Sequence, residues 1–193
     1  DRDSIYHKIQ HAERYGALAV GMDIDHAFSK SGYDCVEGLD MYPLTTEELK
    51  QYVASTKLPF VIKGVLSGQV ALKCKEVGVK GIVVSHHNGR LQFSLPPLMV
   101  LPEIMQAVGE SMEVFVDCSL ESGIDVYKCL ALGAKACCIG RPLMKRLGEK
   151  GAEGVREGIE EITKDLRYTM AMTCAKDLKS IDPSVMRMGS FTW

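Results

Sequence analysis

A short phrase recurs along this chain: the end of a helical stretch, a glycine, one or two residues, then an apolar strand. It occurs at Gly16-Ala17, Gly78-Val79 and Gly133-Ala134. A glycine at such a place lets the backbone leave a helix through a left-handed turn. Strands alternate with helices at every step, so the sheet should be parallel with right-handed crossovers.

Taken in order, Asp3 or Ser4 caps a first helix that carries Ile5, Ile9 and Ala12 on one face. Ala17 to Met22 reads as a buried strand closed by Asp23-Ile24-Asp25-His26. A polar loop of about twenty residues then runs to Pro43, a length that usually serves function, often as a lid. Thr45 and Glu48 form a capping-box pattern at the head of the next helix. Further strands are expected at Phe60 to Lys63, Gly81 to Ser85, Glu113 to Val116 and Lys135 to Ile139. Helices at Ser67 to Val77, Leu98 to Val108 and Ser122 to Leu132 separate them. A long amphipathic helix from Ala152 to Ala175 carries Val155, Ile159, Ile162, Leu166 and Met170 at a spacing of three to four, ahead of an irregular tail.

Five short apolar strands, each ending in a polar or glycine-rich loop, suggest an α/β fold of the (β/α)8 barrel type more than a doubly wound sheet. A closed barrel takes eight strands and about 250 residues, so five cannot close it. Residues 1–193 therefore read as a single partial barrel domain. The chain begins on Asp1, without an initiator methionine and already in a helical pattern, as a fragment would.

Composition narrows the partners. With 46% hydrophobic and 25% charged residues the chain has an ordinary globular balance. A formal charge of −2 argues against a nucleic-acid or polybasic membrane partner. No apolar run approaches the roughly 20 residues of a membrane span. Seven cysteines show no CxxC pairing and mostly sit in apolar runs, which points to a reduced, cytoplasmic protein.

In parallel α/β folds ligands sit at the carboxyl ends of the strands. Those ends bring together Asp23, Lys63, the cluster Ser85-His86-His87-Asn88-Gly89-Arg90, Asp117 and Gly140-Arg141. The set is chemically complementary. A histidine near a carboxylate is a general base whose charged form is stabilised. An arginine three residues on can clamp a carboxylate bidentately. A lysine from a neighbouring strand offers a fixed positive charge, and a glycine and arginine opening a helix suit phosphate. His7 and His11 share a helix face at i, i+4, but no acidic partner motif accompanies them and no metal site is expected. No GxGxxG or GxxxxGK[ST] follows a strand, which disfavours dinucleotide and P-loop sites.

These residues resemble a known family. Val61-Ile62-Lys63-Gly64-Val65 and Ile82-Val83-Val84-Ser85-x-His87-x-Gly89-Arg90 are similar to the lysine strand and the S-N-H-G-G-R motif of the FMN-dependent 2-hydroxy-acid oxidases and dehydrogenases. Val116-Asp117 with Ser122-Gly123-x-Asp125-Val126 resembles that family's D-G-G-V-R segment and the helix after it. Leu130 to Ala136 into Gly140-Arg141-Pro142 resembles its last-strand signature, and Asp1-Arg2, Ala12-Glu13-Arg14 and Asp23 its fourth barrel unit. The likeness covers nearly the whole chain and corresponds to the last five β/α units of the barrel.

The resemblance implies FMN as cofactor and a small 2-hydroxy acid, lactate- or glycolate-like, as substrate. His87 would take a proton during oxidation to the 2-oxo acid, and Asp23 would stabilise its charged form. Arg90, with His87, would bind the substrate, the arginine on its carboxylate. Lys63 would sit at the N1/O2 edge of the flavin and Ser85 against the flavin. Asp117 would meet the ribityl region, with Ser119 among the cofactor contacts. Gly140 and Arg141 would hold the phosphate. The sequence departs from the pattern at three places: His86 and Asn88 flank the histidine, Cys118 and Ser119 replace paired glycines, and Glu121 stands where an arginine is expected. Two other readings stand beside this one. One is a related FMN barrel such as type 2 isopentenyl-diphosphate isomerase; the other is a non-catalytic, degenerate barrel piece that binds a phosphorylated ligand. Two open sheet edges and an uncovered apolar face predict a need for the family's N-terminal barrel half, or self-association, with a family-like homo-oligomer as one form.

Overall fold

The computed structural model describes residues 2–26, 28–29, 32–36, 38–90 and 93–186. One sheet holds β1 (Val20–Asp23), β2 (Phe60–Val65), β3 (Gly81–Val84), β4 (Glu113–Val116) and β5 (Ala136–Cys137). The strands lie side by side in chain order, and every pairing is parallel. Helices α1 (Arg2–Arg14), α2 (Thr46–Ala54), α3 (Gly68–Glu76), α4 (Pro97–Val108), α5 (Gly123–Ala131) and α6 (Arg141–Met172) alternate with them. Neighbours that always follow in chain order, joined by helices, form the wall of a (β/α) barrel rather than a sheet that reverses direction midway.

The two faces of this wall differ. Ile62, Ile82 and Val114 share one row of the register and are at most 2% exposed, packed beneath the helices with Leu101 and Ile104. The next row is Asp23, Lys63, Val83, Phe115 and Ala136. None of these five is buried. Alternation along each strand thus sends one set into a finished core and the other onto a concave face left half open. The core accounts for the stability of the wall, since each fully buried Ile, Leu or Val contributes roughly 1.5–3 kcal/mol.

Local chemistry sets the helix ends. The Thr45 hydroxyl accepts from the Glu48 amide while Glu48 accepts from the Thr45 amide, a complete capping box. Ser122 and Asp125 do the same for α5, and Ser67 caps α3. Gly16, Gly78 and Gly133, the recurring glycines, all have positive φ, at 74°, 94° and 99°.

Several boundaries fall elsewhere than the sequence suggests. The first helix already runs at Arg2, so Asp3 lies in its first turn, where its charge suits the helix dipole. The first strand starts at Val20, because Gly16 and Ala17 are still bonded to the end of α1. The strand after Pro59 continues past Lys63 to Val65, with a bulge at Gly64. The last strand shrinks to two residues, having a partner on one side only. The long polar loop holds two short antiparallel ribbons, Phe28–Ser29 with Gly32–Tyr33 and Cys35–Val36 with Leu39–Asp40. Its residues 27, 30, 31 and 37 lie outside those described, as does the end of the tail at 187–193.

The final helix departs most. It begins at Arg141 rather than Ala152, and it breaks at Gly151, where φ is 61° and ψ −144°. Residues 141–150 fold back on the segment from 152. Arg146 pairs with Glu161 and Lys150 with Glu157 across this hairpin, but exposed pairs contribute little. Close approach matters more: a Cβ on Gly154 would lie 2.3 Å from the Arg146 carbonyl oxygen, and one on Gly158 2.7 Å from Leu143. The second segment crosses the head of α5, where a Cβ on Gly123 would lie 2.0 Å from the Leu166 nitrogen. Asp165 there accepts from the Ile124 amide. No helix among the described residues is long and apolar enough to cross a membrane.

Candidate active site

At the carboxyl ends of the strands opens a cavity of about 570 Å³. Its walls include Asp23, Lys63, His87, Asp117, Ser119, Gly140 and Arg141. Seven of the residues singled out in the sequence are therefore brought together. Two are not on this wall. Ser85 is fully buried beneath it, and Arg90 borders a neighbouring cavity with Asp25 and Lys73.

The centre of the site is the His87 imidazole. Its Nδ1 lies 2.8 Å from Asp25 Oδ1, 3.2 Å from Lys63 Nζ and 3.5 Å from Asp23 Oδ2. Lys63 Nζ donates to Asp23 Oδ2 at 2.9 Å. Asp25, outside the set of site residues expected from the sequence, is thus the carboxylate hydrogen-bonded to the histidine, while Asp23 chiefly holds the lysine. The signal for Asp25 was the D-x-D spacing at the end of β1, two residues apart and aimed the same way.

This cluster is a tight charge network. Burial, and then the adjacent Asp23, push the Asp25 carboxyl above the ordinary range. Burial acts on Asp23 in the same sense, but its bonds with Asp25 and Lys63 outweigh it and hold Asp23 below the ordinary range. For Lys63 burial is likewise outweighed by the two carboxylates, and its ammonium is held on more firmly than usual. Asp23, Asp25 and His87 could offer three ligand atoms to a metal ion, but the Lys63 ammonium sits among them and supplies the positive charge.

The loops after β3 and β4 are locked together by a thiol. Cys118 Sγ accepts from the Asn88 amide at 3.1 Å, donates to Asp117 Oδ1 at 2.9 Å and lies 3.5 Å from Ser85 Oγ. Burial, then Asp117, raise the Cys118 thiol. The Ser85 hydroxyl also accepts from the His87 amide at 3.1 Å, which fixes the turn carrying the imidazole. His87, Asn88, Cys118 and Ser119 all adopt left-handed backbone, with φ of 52°, 55°, 70° and 54°. Non-glycine residues rarely do so. Asn88, Cys118 and Ser119 stand where the resemblance in sequence leads one to expect glycine, and their backbone has a glycine-like shape.

Arg90 is engaged by Asp34, which also faces His26 at 3.6 Å. His26 in turn lies over the His87 ring, with centroids 5.0 Å apart. The residues present suit an anionic cofactor at two places. At one, Lys63 carries a firmly held charge beside the strand ends. At the other, Gly140 has nothing within 4 Å of where a Cβ would stand, and it opens α6 next to the Arg141 guanidinium.

A (β/α) barrel wall thus carries a histidine, a lysine and carboxylates at its carboxyl end, on the same cavity as the start of α6. The FMN-dependent dehydrogenase family matches residues 10–188, and the chain belongs to that family. It is 38% identical over 170 residues to an L-lactate oxidase of Nostoc sp., covering 87% of this chain and 47% of that protein. It is 39% identical over 145 residues to human (Homo sapiens) 2-hydroxyacid oxidase 1, covering 75% of this chain and 39% of that protein. A crystal structure of mandelate oxidase superposes with a TM-score of 0.84 at 30% identity, covering 95% of this chain and 60% of the other. The chain thus spans less than half the length of these curated relatives, and the fold is part of a (β/α)8 barrel.

Proposed function

We propose that this chain is the catalytic side of an FMN-dependent oxidoreductase that converts a small 2-hydroxy acid, lactate- or glycolate-like, to its 2-oxo acid. The observation that carries this reading is the His87 imidazole, anchored by Asp25 and flanked by the Lys63–Asp23 pair at the wall of the cavity. FMN, when bound, supplies the two-electron acceptor. Lys63, Asp117, Ser119, Gly140 and Arg141 line the cavity and would hold it, with Ser85 supporting the loop from beneath.

His87 acts as base, taking one proton from the substrate on the ring nitrogen not held by Asp25. The imidazolium so formed is stabilised by the carboxylates at its back, a differential gain that appears only as the proton moves. Arg90 binds the substrate carboxylate after exchanging Asp34 for it, a like-for-like swap of one carboxylate for another. The seven cysteines are all free, which supports a reducing compartment such as the cytoplasm. The half-open face of Val83, Phe115 and Ala136 supports completion by the remaining barrel half or by a second copy.

The test is flavin bleaching. Full-length protein loaded with FMN should lose its yellow colour anaerobically with lactate, glycolate or mandelate, and a His87→Ala variant should not. FMN bound without bleaching by any small 2-hydroxy acid would remove the assignment. A second reading is a non-catalytic barrel piece holding a phosphorylated ligand at Arg141. It is favoured by Cys118, whose thiol occupies Asp117, a group assigned to the cofactor, and lies against the Ser85 hydroxyl beneath it. Tight phosphate-ester binding with no flavin reduction would support it.

A further inference from the structure

The nitrogen Nδ1 of His87 is contested. One neighbour, Asp25 Oδ1 at 2.8 Å, can only accept a hydrogen bond when ionised; another, Lys63 Nζ at 3.2 Å, can only donate one. A neutral imidazole carries a single ring proton, so Nδ1 can satisfy one of the two and not both. If Lys63 prevails, the proton lies on Nε2 and His87 cannot accept another there. If Asp25 prevails, the proton lies on Nδ1 and Nε2 keeps its lone pair for the cavity that His87 lines.

We infer that Asp25 is the positioning residue that sets the His87 tautomer, holding the proton on Nδ1 and leaving Nε2 as the base, while Asp23 draws the Lys63 ammonium aside. Three features carry this. The Asp25 contact is the shortest at Nδ1. Lys63 has a better acceptor in Asp23 Oδ2, at 2.9 Å, than in the ring. And β2 makes room for Asp25: at the bulge, Gly64 has φ of 101°, and a Cβ there would stand 2.8 Å from both Cβ and Cγ of Asp25. Asp25 N also donates weakly to Asp23 Oδ1, at 3.4 Å, which joins the two carboxylates in one turn. The base role of Nε2 rests on the proposed oxidation; the tautomer does not.

Histidine-selective 15N labelling of the 193-residue chain tests it without any flavin or substrate. In alkaline buffer that leaves the imidazoles neutral, long-range proton–nitrogen spectra report which ring nitrogen carries hydrogen, and a His87→Gln spectrum assigns the signal among five histidines. Wild type should show His87 protonated on Nδ1, and Asp23→Asn should keep it there. Asp25→Ala should move the proton to Nε2, because Asp23 Oδ2, already bonded to Lys63 and 3.5 Å from Nδ1, is too far to replace Asp25 as acceptor, and Lys63 then donates to the ring. A wild-type His87 protonated on Nε2 overturns the inference whatever the variants do, and so does an Asp25→Ala chain that retains the proton on Nδ1. Absence of flavin bleaching in the oxidation assay would remove the proposed reaction and leave this result intact.

Discussion

Gly64 and Asp25 fit together as a hole and its filling: the carboxylate that holds His87 lies where a side chain on Gly64 would have to be. Gly64→Ala should therefore act twice. A left-handed backbone with a Cβ costs about 1–2 kcal/mol, and the overlap adds roughly 1–3 kcal/mol. Urea unfolding should show a loss of this order. In whatever fraction folds, Asp25 is displaced and the His87 proton moves to Nε2. A Gly64→Ala chain of wild-type stability would show that the bulge has room to spare.

Ser119 presents the opposite case. It is exposed, has φ of 54°, and makes one long contact, donating to Asn88 Oδ1 at 3.4 Å. Ser119→Gly relieves the left-handed strain but loosens the unfolded chain. The balance predicts a gain of about 0.5–1 kcal/mol in unfolding free energy, read from a higher denaturant midpoint. Cys118→Gly, at φ of 70°, should gain less or lose, since its thiol ties Asn88 to Asp117.

Glu121 lines the same cavity as Arg141 and places a carboxylate near the proposed phosphate end. Glu121→Arg should tighten FMN binding about tenfold at low ionic strength, equivalent to roughly 1.4 kcal/mol of Coulomb energy. Riboflavin, without phosphate, serves as control and should bind equally to both proteins. Fluorescence quenching of each flavin reads the result. An equal gain for riboflavin would place the effect away from the phosphate.

Acid stability should bear the mark of Glu48. The Thr45 hydroxyl and amide, followed by the Arg2 guanidinium, hold its carboxyl down from 4.5 to about 2. A depressed folded value means stability that is present above pH 4.5 and lost as pH falls toward 2. Urea midpoints measured across that window should drop for wild type and drop less for Glu48→Gln. Asp25 works in the other sense: its raised value contributes at low pH and is lost as pH rises through it. Thr45→Ala should cost about 1 kcal/mol at neutral pH through loss of the cap.

The local chemistry of this protein could be read from its residues alone. Thr45 with Glu48, Ser122 at the head of α5, and the glycines at 16, 78 and 133 act through neighbours in sequence, so the chain itself determined the helix ends and the parallel order of strands. The motif residues at the strand ends were legible for the same reason: each is the polar residue that follows an apolar run. Only the tertiary structure decided the pairings across strands. Which of Asp23 and Asp25 meets His87 depends on a bulge at Gly64, 39 positions beyond Asp25 along the chain and on another strand. That Arg90 turns to Asp34 follows from a loop whose path no periodicity encodes. The break at Gly151 was hidden because a helical hairpin and a straight helix have the same apolar spacing until Gly154 and Gly158 meet the first segment. Sequence sets what each residue can donate, accept or avoid; the distances between strands set which of those options is taken.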